Sequence, residues 1–359
     1  MADELNVATL ALGAENEQLD AETEQLDAVR KSVLHGNAAA FVATLNEHKL
    51  LEGKSDTAAP LVFLMDWFHT WQQEYEAFVH VLEAEEDDEE GGEDKSEDTN
   101  VEKDLEEMEA EAELLLEGFG HIAISLLETL RIANPDSVID KNGWTLLMQA
   151  ANTGLRELVD VLVSKNVNVN FTGKVNDATN PLYLAVESEH TNEAMVLLKN
   201  GAIASATKLV KTHVPVFKDG DSAEGEGEEN EEEHAEEDCA LFQACRYGHL
   251  SVIEEMIALG VDLNFALPST GDRALHIAVM FEMQDVVEML LSSESVEVNA
   301  TNVSGQTCLF GCSNVEIAEL LVSKGVDPNV KDADHETAFS VADALGDEQV
   351  AQFLKNLTT

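Results

Sequence analysis

The chain has 359 residues, of which 72 are acidic and 20 are basic, so its formal charge at pH 7 is −52. This length suffices for two ordinary domains or one long repeat array, and a hydrophobic fraction of 44% excludes wholesale disorder. So large a negative charge excludes direct binding to nucleic acid phosphates or to anionic lipid as the main activity, and it favours a basic partner.

The N-terminal residues predict an intracellular location. Residues 1–10 lack the basic start and long apolar run of a signal peptide, and no window approaches the ~20 apolar residues of a membrane span. The four cysteines, Cys239, Cys245, Cys308 and Cys312, form no CxxC pair and are interpreted as reduced thiols. We therefore expect a cytoplasmic protein, with the nucleus as a second compartment, that does not bind membranes.

The clearest repeating unit covers residues 140–170. A turn with Gly143 leads into an apolar stretch around Leu147, a second glycine turn follows at Gly154, and a longer amphipathic stretch ends in the sequence VNVN. Similar four-residue exits occur at 261–264, 296–299 and 326–329. The unit resembles an ankyrin repeat, and this resemblance implies two antiparallel helices and a hairpin in each repeat.

The position of Leu147, which corresponds to the leucine of the ankyrin TPLH box, can be followed along the chain. The equivalent residues are Val29, Leu61, Glu113, Leu147, Leu182, Leu241, Leu275, Leu309 and Phe339. Six of the eight spacings lie close to the ankyrin period of ~33 residues. The resemblance implies an all-α fold, an ankyrin-repeat solenoid of stacked helix-turn-helix units with hairpin loops, with six well-matched repeats and nine in total. The eighth unit is about one helical turn short, which predicts a bend or gap there.

In chain order, the predicted organisation alternates repeats with acidic insertions. Degenerate ankyrin-like repeats occupy 1–83 and 105–138, with turns expected at His35-Gly36-Asn37 and at Gly120-His121. Well-matched repeats occupy 139–209 and 239–359, the latter ending in a cap. Acidic insertions, expected to be disordered, occupy 84–104 and 210–238.

The two acidic tracts are the strongest functional signal in the sequence. Residues 83–117 carry a net charge of −17 and residues 219–238 carry −12. Such runs repel themselves and have little to bury. Both lie between repeats at the same kind of loop, so we expect two anionic arms on one edge of the solenoid.

The family pattern also suggests which residues bind a partner. Ankyrin proteins generally use hairpin tips, which here include Trp144, Asp272, Gln306 and Glu336. They also use exposed positions of the first helices, which here include Gln149, Asn152, Glu187, Gln243, Arg246 and Met280. A tryptophan at a tip indicates either a partner contact or packing on the neighbouring hairpin.

Signals of catalysis are missing from the sequence. No GxSxG, HExxH or GxGxxG motif follows a predicted strand, and the cysteines and histidines lack metal-site spacing. We therefore predict a non-enzymatic interaction protein, without cofactor or metal, that escorts or shields a basic client such as a ribosomal protein or histone. The alternative is a scaffold or adaptor subunit of a cytoplasmic or cytoskeletal assembly, in which the acidic tracts are solubilising spacers.

Overall fold

The structure is a computed structural model that describes residues 24–52, 54, 56–88, 98–132, 134–173, 179–214 and 232–357. The chain forms two compact units. The first unit comprises Met1–Ala150 and Leu155–Val167, and the second comprises Ala151–Gly154 and Asn168–Thr359.

The first unit is helical. Its helices are α1 (24–34), α2 (Ala38–Glu47), α3 (Ala59–Asp88), α4 (Asp98–Thr129), α5 (Leu146–Asn152, whose last residues belong to the second unit) and α6 (Arg156–Ser164). A short 3-10 helix covers Pro135–Ser137. Helix α4 packs on α2, α3 and α6. The core contains the stacked rings of Phe68 and Phe119, whose centroids are 4.2 Å apart.

Helices α3 and α4 are longer than the helices of the predicted repeats. The pair α1–α2 is a short helix-turn-helix, with Gly36 in the left-handed region and Asn37 capping α2. In contrast, α3 has 30 residues and α4 has 32, so each is one continuous helix where a helical hairpin was expected. The expected disordered insertion 84–104 is helical at both ends, and its residues 89–97 lie outside the described part of the chain.

The turn expected at Gly120-His121 lies inside α4, and the reason is packing. A Cβ at Gly118 would lie 2.0 Å from the carbonyl oxygen of Val33, and one at Gly120 would lie 3.2 Å from Leu155. These two glycines therefore let α1 and the start of α6 approach α4 closely, and they do not end a helix.

The second unit is a stack of helix pairs. Its helices are α7 (Pro181–Glu187), α8 (Thr191–Lys199), α9 (Ala240–Tyr247), α10 (Leu250–Ala258), α11 (Ala274–Met280), α12 (Gln284–Ser292), α13 (Val315–Ser323), α14 (Ala338–Leu345) and α15 (Glu348–Lys355). The first helices α7, α9 and α11 contact each other in sequence, and so do α8, α10, α12, α13 and α15. This architecture confirms the predicted all-α repeat fold.

The four-residue exits tie successive repeats together. The side-chain amide of Asn264 donates to Ser295 O at 2.6 Å and its Oδ1 accepts from Glu297 N at 2.8 Å. Asn170 makes the same pair of bonds with Gly201 and Ile203, and Asn299 makes it with Gly325 and Asp327. These three exit asparagines therefore satisfy backbone groups of the next repeat, whereas Asn329, at the fourth exit, donates to Asp327 Oδ1 in its own turn.

A two-stranded antiparallel ribbon stands where the second disordered insertion was expected. Strand β1 (Thr207–Val214) pairs with β2 (Glu232–Cys239), and the register joins Thr207 to Cys239 and Val214 to Glu232. The expectation of disorder across 210–238 therefore differs from the structure at both ends of that range, because the backbone groups of the two strands pair there. Residues 215–231 lie outside the described chain.

The eighth unit lacks an α-helix at its first-helix position. A 3-10 helix of four residues, Cys308–Gly311, occupies that place and contacts α11 and α14. A groove of about 680 Å³ lies further along the chain, lined by Val315 of α13, Phe339 and Asp343 of α14, and residues of α15. The predicted shortening is thus present, and the bend or gap expected with it stays a prediction.

Candidate partner-binding surface

The hairpin tips of the second unit bond to each other. Val303 N donates to Thr270 O and Ala333 N donates to Ser304 O, both at 2.9 Å. Side chains extend this ladder, because Asn302 Nδ2 donates to Asp272 Oδ1 and Gln306 Nε2 donates to Asp332 Oδ2, both at 3.0 Å. The hydrogen bond from Gln306 is the main cause of a lowered pKa of Asp332.

These bonds change the expected role of the tip residues. Asp272 and Gln306 are half-buried and hold neighbouring tips together, whereas Glu336 is exposed. In the first unit Trp144 is half-buried and packs edge-on against His69 at 5.3 Å. The hairpin of Trp144 is fixed to α3 by Lys141 N, which donates to Asp66 Oδ1 at 2.7 Å.

Two residues expected to be exposed on the first helices are buried. Gln149 is 2% exposed, and its Nε2 donates to Met65 O and to Asp140 Oδ2. Gln243 is 5% exposed, and its Nε2 donates to the Tyr183 hydroxyl at 2.5 Å. The expectation of exposure is therefore wrong for both, because a buried polar partner is available to each amide.

Gln243 belongs to a buried polar cluster with Tyr183, Asp238 and Arg246. Arg246 Nη1 donates to Asp238 Oδ2 at 2.8 Å, and the Tyr183 hydroxyl donates to the same oxygen at 3.4 Å. Burial, reinforced by the Glu187 carboxylate, raises the pKa of Tyr183 above its usual value, so its hydroxyl keeps its proton. The guanidinium of Arg246 also lies over the ring of Phe281, 5.1 Å from its centroid.

The other predicted first-helix residues lie around this cluster or at the surface. Glu187 is exposed and pairs with Lys208, whose ammonium lies 4.2 Å from the centroid of the Tyr183 ring. Asn152 is half-buried and accepts from Ser188 Oγ at 3.2 Å. Met280 is 52% exposed, as predicted.

Exposed aromatic residues next to Met280 were missed by the sequence analysis. Tyr247 is 57% exposed at the end of α9, and Phe281 is 40% exposed just after α11. They occupy equivalent positions 34 residues apart, so the alignment of the repeats could have identified this pair of aromatic residues. Together Tyr247, Met280 and Phe281 form what we call the apolar stripe, the type of exposed surface that marks a protein contact.

The described residues offer little for catalysis. They contain no group of three or more His, Cys, Asp or Glu side chains that could hold a metal ion. All four cysteines are buried free thiols, and burial raises the pKa to about 12 for Cys239 and Cys308 and to about 11 for Cys312. Reactive cysteines have lowered pKa values, so these are structural. Among the helices described, none has the length and apolar character needed to cross a bilayer.

Stacked helix pairs with bonded hairpin tips and an exposed apolar stripe define a helical repeat protein whose fold is consistent with protein–protein interaction. A family model described as ankyrin repeats (3 copies) matches residues 113–208 and 203–302. The chain belongs to the ankyrin-repeat family.

Curated relatives agree with this assignment. The chain is 27% identical over 239 residues to the nuclear factor NF-kappa-B p105 subunit of Gallus gallus, a match covering 59% of this chain and 23% of the relative. It is 29% identical over 136 residues to the ANK repeat-containing protein nipk-1 of Caenorhabditis elegans, covering 33% and 22%. The chain thus matches less than a quarter of the length of these relatives.

Two solved structures show similarity to part of this chain. One is the complex of the Bd0816 predatory endopeptidase of Bdellovibrio bacteriovorus with immunity protein Bd3460, with a TM-score of 0.45, 21% identity, and coverage of 59% of this chain and 97% of the matched chain. Another is the human ASB11 ankyrin repeat domain, with a TM-score of 0.47, 21% identity, and coverage of 64% and 92%.

Proposed function

We propose that this protein is a non-catalytic acidic escort that binds and shields a basic client protein of the ribosomal-protein or histone type, in the cytoplasm or the nucleus. The repeats would recognise a segment of the client, and the acidic insertions would neutralise its remaining lysines and arginines. The observation that carries the proposal is the position of the second insertion relative to the apolar stripe.

That position follows from the buried cluster. Asp238, the last acidic residue of the insertion, is 3% exposed and is paired with Arg246 on α9. Arg246 lies one residue before Tyr247 and stacks on Phe281, so the root of the insertion is fixed beside the apolar stripe. A client bound at the stripe would therefore lie beside the anchored end of the insertion, whose residues 219–237 carry a net charge of −11.

Charge of this size affects association more than it affects the fold. Complementary potentials raise the encounter rate of oppositely charged proteins, and this increase falls as salt is added. An escort that captures a strongly basic client before it meets nucleic acid benefits from both properties.

The test separates charge from chain length. In one variant every Asp and Glu of 85–97 and 219–231 is replaced by Asn or Gln, which leaves the strands of the ribbon and Asp238 unchanged. A matched control keeps the composition of these segments and scrambles their order. Binding to a purified core histone dimer and to a basic ribosomal protein is measured at ~0.1 M and ~0.5 M salt, where the screening length falls from about 10 Å to about 4 Å.

The expected result is a loss of at least about tenfold in affinity for the neutralised variant at low salt, and none for the scrambled control. Partner capture from a lysate, compared between the same proteins, tests the alternative. If the same partners are retained by the neutralised variant at both salt concentrations, the scaffold function replaces the escort function.

A further inference from the structure

A groove of about 480 Å³ lies between two successive turns of the second unit. One side is the turn after α9, with Tyr247 and Gly248, and the other is the turn after α11, with Glu282, Met283 and Asp285. Glu282 and Asp285 are exposed, and Tyr247 joins the groove to the apolar stripe.

An earlier pair of repeats shows what fills the equivalent place. There the ring of His190 covers Gly154 so closely that a Cβ at this glycine would lie 2.6 Å from His190 Nδ1. His190 Nε2 also donates to Asn152 O at 3.0 Å. At Gly248 the corresponding residue is Met283, whose sulfur would lie 3.4 Å from such a Cβ. The flexible thioether replaces a ring anchored by a hydrogen bond, and the groove remains open beside it.

The lining of the groove suits a cationic side chain. Glu282 and Asp285 supply two carboxylates, although Glu282 Oε1 also accepts from Ser313 Oγ at 2.5 Å. Tyr247 supplies an aromatic face that attracts cations. Arg246, the cation on the same helix as Tyr247, is already paired with Asp238 and stacked on Phe281. The apolar stripe beside the groove would take a neighbouring apolar side chain of the same partner.

We propose that this groove, built from Tyr247, Glu282, Met283 and Asp285, binds a lysine or arginine side chain of a partner segment in which basic and apolar residues alternate. This inference rests on the proposed function in one respect, since it makes the client basic. It is independent of the acidic insertions, because the groove residues lie outside them.

The probe is a short fluorescein-labelled peptide that alternates leucine with arginine, and binding to the full chain is measured by fluorescence anisotropy. The test variant is Glu282→Gln with Asp285→Asn. The control variant is Glu189→Gln with Glu294→Gln, which removes the same charge from exposed positions. Glu189 is well matched, since it has the same left-handed turn position as Glu282, with φ of 60° against 56°. A third variant, Tyr247→Ala, tests the aromatic wall.

We expect the test variant to bind about tenfold more weakly than the wild type and the control variant to stay within about twofold. Tyr247→Ala should lose about threefold or more. A peptide with citrulline in place of arginine should bind the wild type and the test variant equally weakly.

Equal binding of the peptide by the test and control variants would overturn the proposal that this groove binds a cationic side chain. A wild type that does not bind the arginine peptide would overturn it as well. The variant with neutralised insertions distinguishes this failure from that of the escort function. If that variant keeps its affinity for the histone dimer while Glu282→Gln/Asp285→Asn loses the peptide, the groove stands and the escort function fails. If the neutralised variant loses the histone dimer while Glu282→Gln/Asp285→Asn keeps the peptide, the escort function stands and the groove fails.

Discussion

Arg246 Nη1 and Asp238 Oδ2 lie 2.8 Å apart in an ion pair that joins helix α9 to the end of strand β2. Only 4% of the Asp238 side chain is exposed, against 26% for Arg246. The pair therefore turns the C-terminal end of an acidic insertion into a fixed part of the repeat stack.

Replacement of Arg246 by glutamine should lower the free energy of unfolding by about 2–3 kcal/mol, because it leaves a carboxylate buried without its cation. Urea unfolding followed by circular dichroism measures this. The control is Arg156→Gln, which breaks the exposed pair with Asp160 and should cost no more than about 0.5 kcal/mol. Equal effects of the two substitutions would show that Asp238 is not buried as described.

The exit asparagines should carry much of the coupling between repeats. Asn264→Ala removes two hydrogen bonds to the next repeat and leaves Ser295 O and Glu297 N without their partner, so we expect a loss of about 1–2 kcal/mol in urea unfolding. Asn329→Ala is the matched control, because the side chain of Asn329 donates to Asp327 Oδ1 in its own turn. Its expected cost is below about 0.5 kcal/mol. A larger loss for Asn329→Ala would contradict this role of the exits.

Gly118→Ala should destabilise the first unit by about 2–3 kcal/mol, since the added methyl group would overlap the carbonyl oxygen of Val33. That oxygen also accepts from Gly36 N at 2.8 Å, so its displacement disturbs the turn between α1 and α2. Thermal unfolding monitors the change. Gly311→Ala, where the added carbon meets no heavy atom within 4 Å, should leave stability nearly unchanged. If Gly118→Ala leaves the unfolding temperature unchanged, α1 does not pack on α4 at this point.

His276 should make stability depend on pH. Burial lowers its pKa, although the hydrogen bond of its Nε2–H to Gln306 O partly opposes this shift. The unfolded chain, whose histidine pKa is about 6.5, then binds the proton more readily than the folded chain does. This contribution to stability is thus complete above pH ~6.5 and is lost as the pH falls toward the lower folded pKa.

The comparison of wild type with His276→Gln isolates this effect from the many carboxylates. The substitution should cost about 1–2 kcal/mol at pH 7.5, through the lost bonds to Gln306 and Arg273, and less at pH 5. Urea unfolding at several pH values gives the difference curve. A difference that is constant from pH 7.5 to 5 would refute the assignment.

The repeats of the second unit could be predicted because their signals are local. The exits ending in Asn264 and Asn299 lie 35 residues apart, close to the repeat period, and they make the same bonds as the exit ending in Asn170. The missing turn before Val315 could also be counted from the sequence alone.

Other features depend on residues far apart in sequence. Gln149 and Gln243 were placed at the surface because their position in the repeat is usually exposed. Both are buried beside polar partners, because Met65 O and Asp140 Oδ2 accept from Gln149 and the Tyr183 hydroxyl accepts from Gln243. Gly118 and Gly120 have the residue type of a turn, and only Val33 and Leu155 explain why they are helical. Strand β2 has five acidic residues in eight, so its local sequence disfavours a strand. Its extended conformation depends on pairing with β1, which lies far away in the sequence.

The pairing of Val214 with Glu232 bears on how this protein can evolve. It holds both ends of the connecting segment at strand distance. Each doubling of that segment's length therefore raises the entropic cost of closing it by only about 0.6 kcal/mol. Codons for acidic residues can accumulate or disappear between these two positions while α8 and α9 keep their places. Selection can thus adjust the acidity of the chain independently of its repeats, and the same point would accept a genetically inserted reporter domain.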